Sequence, residues 1–130
     1  GAGAQSAGNS SIAMGTLATS SIKNHGDAVD KAIAIGYSAG VSDSKAIAIG
    51  SDAKSNSKSA SALGDTAQAL ANDALAIGTQ AQASGSASAA IGARSAVSGA
   101  NTYVVGSDNS NNPAGTGATI AATNSVIKIA

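Results

Sequence analysis

Over most of the chain, apolar residues alternate with small ones in short runs that each end in glycine. The runs "SIAMG", "AIAIG", "AIAIG", "ASALG", "ALAIG", "SAAIG" and "TYVVG" close on Gly15, Gly36, Gly50, Gly64, Gly78, Gly92 and Gly106. From Gly36 onward the glycines keep a 14-residue step, and Gly1 precedes Gly15 by the same step. Only the 21-residue step from Gly15 to Gly36 departs from this frame, by an excess of seven. A period of two predicts a strand before each glycine. Ile12, Ile33, Ile35, Ile47, Ile49, Leu63, Leu75, Ile77, Ile91 and Val105 fall on one parity, and Ala34, Ala48, Ala62, Ala76, Ala90 and Val104 on the other. Three and five residues after the glycine come Ala39/Val41, Ala53/Ser55, Ala67/Ala69, Ala81/Ala83 and Ser95/Val97, separated by mostly polar residues. This predicts a second short strand with one small apolar face and one wet face. Turn formers such as "SDSK", "ANDA" and "SGAN" then reverse the chain.

Two strands and two tight corners in each 14-residue step make one rung of a parallel β-solenoid. Rungs stacked about 4.8 Å apart would build a rod roughly 40 Å long from eight or so copies. The larger residues, Ile12 to Val105 above, are expected to fill the rung interior opposite the small residues of the second strand. The glycines are expected at the corner between the strands, where the absence of a Cβ permits unusual dihedrals. That leaves the Ala34 to Val104 ladder on the outside of the first strand. A strand apolar on both faces is normally buried on both, so this ladder is expected to be a subunit interface against copies of the same chain.

Composition supports a thin core. Of 130 residues 16 are Gly, Tyr37 and Tyr103 are the only aromatics, and Ala and Ser supply much of the rest. A disordered linker has the same bias but no reason to keep Ile in register. Seven basic and seven acidic residues cancel, without the Lys/Arg stripe that phosphate neutralisation needs, so nucleic acid is not an expected partner. There is no Cys, hence no disulfide framework and no thiolate metal site. No apolar run reaches the roughly 20 residues of a membrane span and no signal region is visible. The chain is expected to be soluble, or a soluble piece of something larger, without direct membrane contact.

Candidate chemistry is sparse. The seven-residue excess lies within "TSSIKNHGDAVD" and holds Lys23, His25 and Asp27. It predicts a loop near 20–27, and loops that leave a solenoid on one face often carry binding. Asp52, Lys54 and Arg94 fall on or beside the outward strand, either as solvated charges or as part of a ligand-binding face. No nucleophile, base and oxyanion set clusters, so no enzyme and no cofactor are expected. His25 has no second histidine to share a metal. Calcium-binding "GGxGxD" nonapeptides are absent, and the outward series Ser38, Asp52, Thr66, Gln80, Arg94 is not the threonine ladder of an ice-binding solenoid. "SNNPAG" around Pro113 breaks the step and reads as a loop, and "TNSVIKIA" alternates again near Val126 to Ile129. Residues 1–110 therefore read as the repeats and 111–130 as a C-terminal loop with a capping or connecting segment.

The phrases "AIAIGYSA" and "ALAIGTQAQA", at the 14-residue step, resemble the head repeats of trimeric autotransporter adhesins of Gram-negative bacteria, the YadA-like type, over residues 1 to about 110. The resemblance implies an all-β fold, a left-handed parallel β-roll, with three chains side by side as a homotrimer. It also implies display on a stalk anchored in the outer membrane. There such a head would attach to host cells or to matrix proteins such as collagen, fibronectin or laminin. A passive spacer that holds another binding domain away from the cell is the competing expectation.

Overall fold

The computed structural model describes residues 1–20, 29–107 and 119–121. Its strands, in chain order, are β1 (Gln5–Ser6), β2 (Ile12–Met14), β3 (Thr19–Ser20), β4 (Ile33–Ile35), β5 (Gly40–Val41), β6 (Ile47–Ile49) and β7 (Lys54–Ser55). They continue as β8 (Ser61–Leu63), β9 (Gln68–Ala69), β10 (Leu75–Ile77), β11 (Gln82–Ala83), β12 (Ala89–Ile91), β13 (Ala96–Val97), β14 (Thr102–Val105) and β15 (Thr119–Ala121). Odd strands from β1 to β13 form a seven-stranded sheet, and even strands with β15 form an eight-stranded one. Among the described residues there is no helix. The chain is an all-β parallel solenoid of about seven turns.

Pairing between turns is parallel and follows the glycine frame. Ile33 pairs with Ile47, Ala48 with Ala62 and Leu75 with Ala89, each partner one 14-residue step further along the chain. β2 and β4 keep the same register across the longer step, with Ile12 opposite Ile33. The expected loop near 20–27, and the expected strand near Val126 to Ile129, lie outside the described residues. At the far end β15 runs antiparallel to β14, with Tyr103 opposite Ile120, and covers the last edge of the eight-stranded sheet.

The corners carry a second, finer period. Among the described residues positive φ recurs in a seven-residue frame, at Gly3, Ser10 and Leu17 and then from Lys31, Ser38, Lys45 and Asp52 on to Asn101. Each rung is thus two half-rungs of equal length, a short strand followed by a corner whose last residue is left-handed. In the corner after the first strand the half-rung also needs its glycine. Gly64 has φ 139° and donates its N–H to Ile49 O at 2.8 Å on the neighbouring rung. The corners therefore stack in register as tightly as the strands.

Burial reverses the inside and outside of the first strand. Ala34, Ala48, Ala62, Ala76, Ala90 and Val104 are fully buried within the single chain. They are the rung interior, and the expectation that they form the subunit interface is corrected. The residues expected inside point out: Ile12, Ile49, Ile77 and Val105 are exposed, and Ile33, Ile35, Ile47, Leu63, Leu75 and Ile91 are only half-buried. The reason is volume. Both corners are short, so the two sheets approach closely, and the inward positions of the second strand, Ala39/Val41 to Ser95/Val97, already fill their half of the gap. A γ-branched or δ-methyl side chain facing them would overpack a space that accommodates methyl groups.

Among the described residues, the interior hydroxyls Ser20 Oγ and Ser55 Oγ have no partner. Ser55 sits between Val41 and Ala69 in the ladder. By contrast, the buried Ser95 donates its hydroxyl to Gly92 O at 2.8 Å. Ser55→Ala is expected to raise the unfolding free energy by about 1–2 kcal/mol, since it removes an unsatisfied hydroxyl without opening a cavity. Ser95→Ala should give no such gain. Equilibrium denaturant melts of the two variants check the contrast.

Candidate functional surfaces

The solenoid presents two unlike flanks. On the eight-stranded sheet the outward residues form two parallel columns. One runs Ile12, Ile33, Ile47, Ser61, Leu75, Ala89, Tyr103, and the other Met14, Ile35, Ile49, Leu63, Ile77, Ile91, Val105. Met14 is 58% exposed, Val105 47% and Ile12 43%. At the adjoining corner Leu17 and Tyr37 are also exposed. Neighbouring side chains in each column shield one another along the rod axis, which leaves Ile33, Ile35, Ile47, Leu63, Leu75 and Ile91 half-buried and the short Ala89 buried, while Ile49 and Ile77 stay exposed and the flank as a whole stays uncovered. A contiguous apolar surface of this length marks an association site.

The seven-stranded sheet presents the polar flank, where Lys54, Gln68, Gln82 and Ala96 stand in register. Of the residues expected to meet a ligand, Lys54 is on this flank and exposed. Asp52 and Arg94 are at the left-handed position of the glycine corner, with φ 53° and 56°. Asp52 and Arg94 are separated by three rungs, about 14 Å at the strand spacing, so the fold does not bring these three together. Lys23, His25 and Asp27 lie outside the described residues. Gly15, Gly36, Gly50, Gly64, Gly78, Gly92 and Gly106 all occupy the corner after the first strand with φ between 124° and 139°.

Hollows open on the surface formed by the described residues. A shallow one of about 250 Å³ lies among Thr66, Gln68, Gln80, Ala81 and Gln82. The larger, about 420 Å³, is at the opposite corner and is lined by Asp30, Lys31, Asp43, Ser44, Lys45 and Lys58. The second was missed from sequence, although its signal was present: Lys31 and Lys45 each precede a copy of the same phrase, "AIAIG", one repeat step apart. Among the described residues no group of three His, Cys, Asp or Glu side chains could hold a metal ion. Among the same residues no helix is long and apolar enough to cross a membrane.

An in-register parallel stack of 14-residue rungs, with one apolar and one polar flank, defines a β-solenoid repeat domain. The family of the YadA head domain repeat matches residues 30–53, 55–81 and 69–95, which is half of the chain. The chain belongs to this family and is a YadA-like head domain of the trimeric autotransporter adhesin type. No curated protein matches it.

Proposed function

We propose that the chain is the head of an adhesin on the surface of a Gram-negative bacterium. It acts as a homotrimer of left-handed β-rolls that attaches the cell to host tissue through matrix proteins of the collagen, fibronectin or laminin class. The observation that carries the reading is the uncovered apolar flank from Ile12 to Val105 on a chain of this family. One copy cannot bury it, because the interior is already full. Copies set flank to flank bury Ile against Ile and leave each polar flank facing outward, free for a partner. The number three, the left hand of the roll and the outer-membrane anchor are part of the proposal and rest on membership of the family.

The assembly is tested by light scattering. The wild-type domain is expected at three times the 12.1 kDa of the chain, and the Ile49→Glu/Ile77→Glu variant at a single chain with its sheet signal retained. Attachment is tested by solid-phase binding of the purified trimer to collagen, fibronectin and laminin. Saturable binding that is lost when residues 21–28 are replaced by a Gly/Ser linker supports adhesion through that segment. A folded trimer inert to all three proteins would make the domain a spacer.

A further inference from the structure

The larger hollow is built where the corner gains nothing from its composition. Lys31 and Lys45 occupy equivalent positions on consecutive rungs, with φ 58° and 61°. Their backbones are held in register by Lys31 N–H donating to Asn9 O and Lys45 N–H to Asp30 O, both at 2.9 Å. Stacked rungs lie about 4.8 Å apart, well within the roughly 8 Å screening length of physiological salt. Two ammonium groups in this arrangement repel. The corner itself does not demand lysine, since Ser10, Ser59, Asp73, Ala87 and Asn101 fill the same left-handed position elsewhere. Lys58 adds a third cation beside them.

The two carboxylates on the rim are tied to the backbone. Asp30 Oδ1 accepts the N–H of Asn9 at 2.7 Å, and Asp43 Oδ1 accepts the N–H of Ser44 at 2.8 Å. Each holds a corner in shape. Among the described residues, three lysines against two carboxylates leave a cationic excess at this corner of a chain whose formal charge is zero. The six described lining residues are polar or charged and none of them is aromatic, so they offer no platform for stacking a neutral sugar or a base. Lysine ammonium groups recognise anionic oxygens as point charges. Repeated at the rung spacing, they suit a linear chain of anionic groups lying along the rod rather than one isolated ion. Duplex nucleic acid binds through many phosphates at once, which three lysines with two nearby carboxylates do not supply.

We infer that the groove of Lys31, Lys45 and Lys58 is a binding site for the sulfate groups of a linear sulfated polysaccharide. This deepens the adhesive reading, on which it rests, by giving it a glycan ligand beside its protein ones.

The test is calorimetric titration of the purified domain with a heparin oligosaccharide, with chemically desulfated heparin and duplex DNA as comparators. Heparin is expected to bind saturably and to weaken steeply as salt rises from about 50 to about 200 mM. Lys31→Gln/Lys45→Gln should lose about tenfold or more in affinity, whereas Lys31→Arg/Lys45→Arg retains it. Thr79→Glu/Ser107→Glu, which shifts the charge by the same amount at the opposite corner, should lose less than about twofold under these conditions. Unchanged thermal melts confirm that the variants are folded. Equal losses in the two charge-altering pairs, desulfated heparin or DNA binding as tightly as heparin, or no binding at the lower salt would each overturn the inference. A domain that binds heparin through the lysines but ignores every matrix protein refutes the protein-directed reading alone. The reverse result refutes only the glycan site.

Discussion

Ala62→Glu is expected to abolish folding, with loss of the far-ultraviolet sheet signal, and not merely to separate subunits. Ala62 is fully buried in the middle of the stack, in one core cluster with Ala60, Ala67, Ala69, Ala74 and Ala76. Among the described residues no cation is buried, and the interior around Ala62 is filled by small side chains. An unpaired carboxylate there costs several kcal/mol in desolvation, and the added methylenes force the sheets apart. Set against a total stability of about 5–15 kcal/mol for an ordinary domain, that is enough to unfold the central turns. Ala62→Leu separates volume from charge and should still cost about 1–3 kcal/mol by overpacking. Ile77→Glu, on the same sheet but facing outward, should leave the circular dichroism intact. If Ala62→Glu instead gave folded single chains and Ile77→Glu unfolded the protein, the assignment of interior and flank would be reversed.

Gly64→Ala is expected to cost about 3 kcal/mol or more, a large effect for one methyl group. At φ 139° the backbone is already in a region that L side chains rarely adopt. A Cβ there would stand 2.5 Å from Gly78 O and 2.6 Å from Gly78 C. The obstructing atoms are the backbone of the next corner, which is itself stacked against Gly92, so it has nowhere to retreat. Gly40 is the control. A methyl group placed on it would meet only Thr19 Oγ1, at 3.7 Å, and its φ is not positive. Gly40→Ala should be neutral or stabilising by about 0.4–1 kcal/mol through the unfolded state. Denaturant midpoints for the two variants should therefore move apart, and equal shifts would contradict the stacked-corner geometry.

Much of the architecture was legible in the residues alone. Glycine at a fixed step marks a corner, and alternation before it marks a strand, so the rungs, their parallel stacking and the small inward face of the second strand followed from local chemistry. The parity of the first strand did not. Hydrophobicity ranks Ile above Ala, and a core is ordinarily given the larger residue, but here the corner length sets a gap too narrow for it. The deciding signal was a seven-residue step. Ala32 and Ala34 precede Ala39 and Val41 by seven, and Ala46 and Ala48 follow them by seven, so all belong to the same inward series. The lysine groove was also spelled out, in "KAIAIG" at both copies, but a charge at a corner looks solvated until the fold places the next rung's charge beside it.

The seven-residue half-rung has a genetic consequence. To the hidden wall, one half is as good as the other, since both bury two small residues and end in a left-handed turn. A shift by one half would satisfy the inside yet roll every later isoleucine to the polar side of the rod, whereas β2 and β4 pair with Ile12 opposite Ile33 and so keep the isoleucines on one flank. Duplication or loss of repeat sequence is therefore expected to preserve both flanks when it adds or removes whole rungs of 14 residues, and to cross them when a seven-residue half enters the ladder itself.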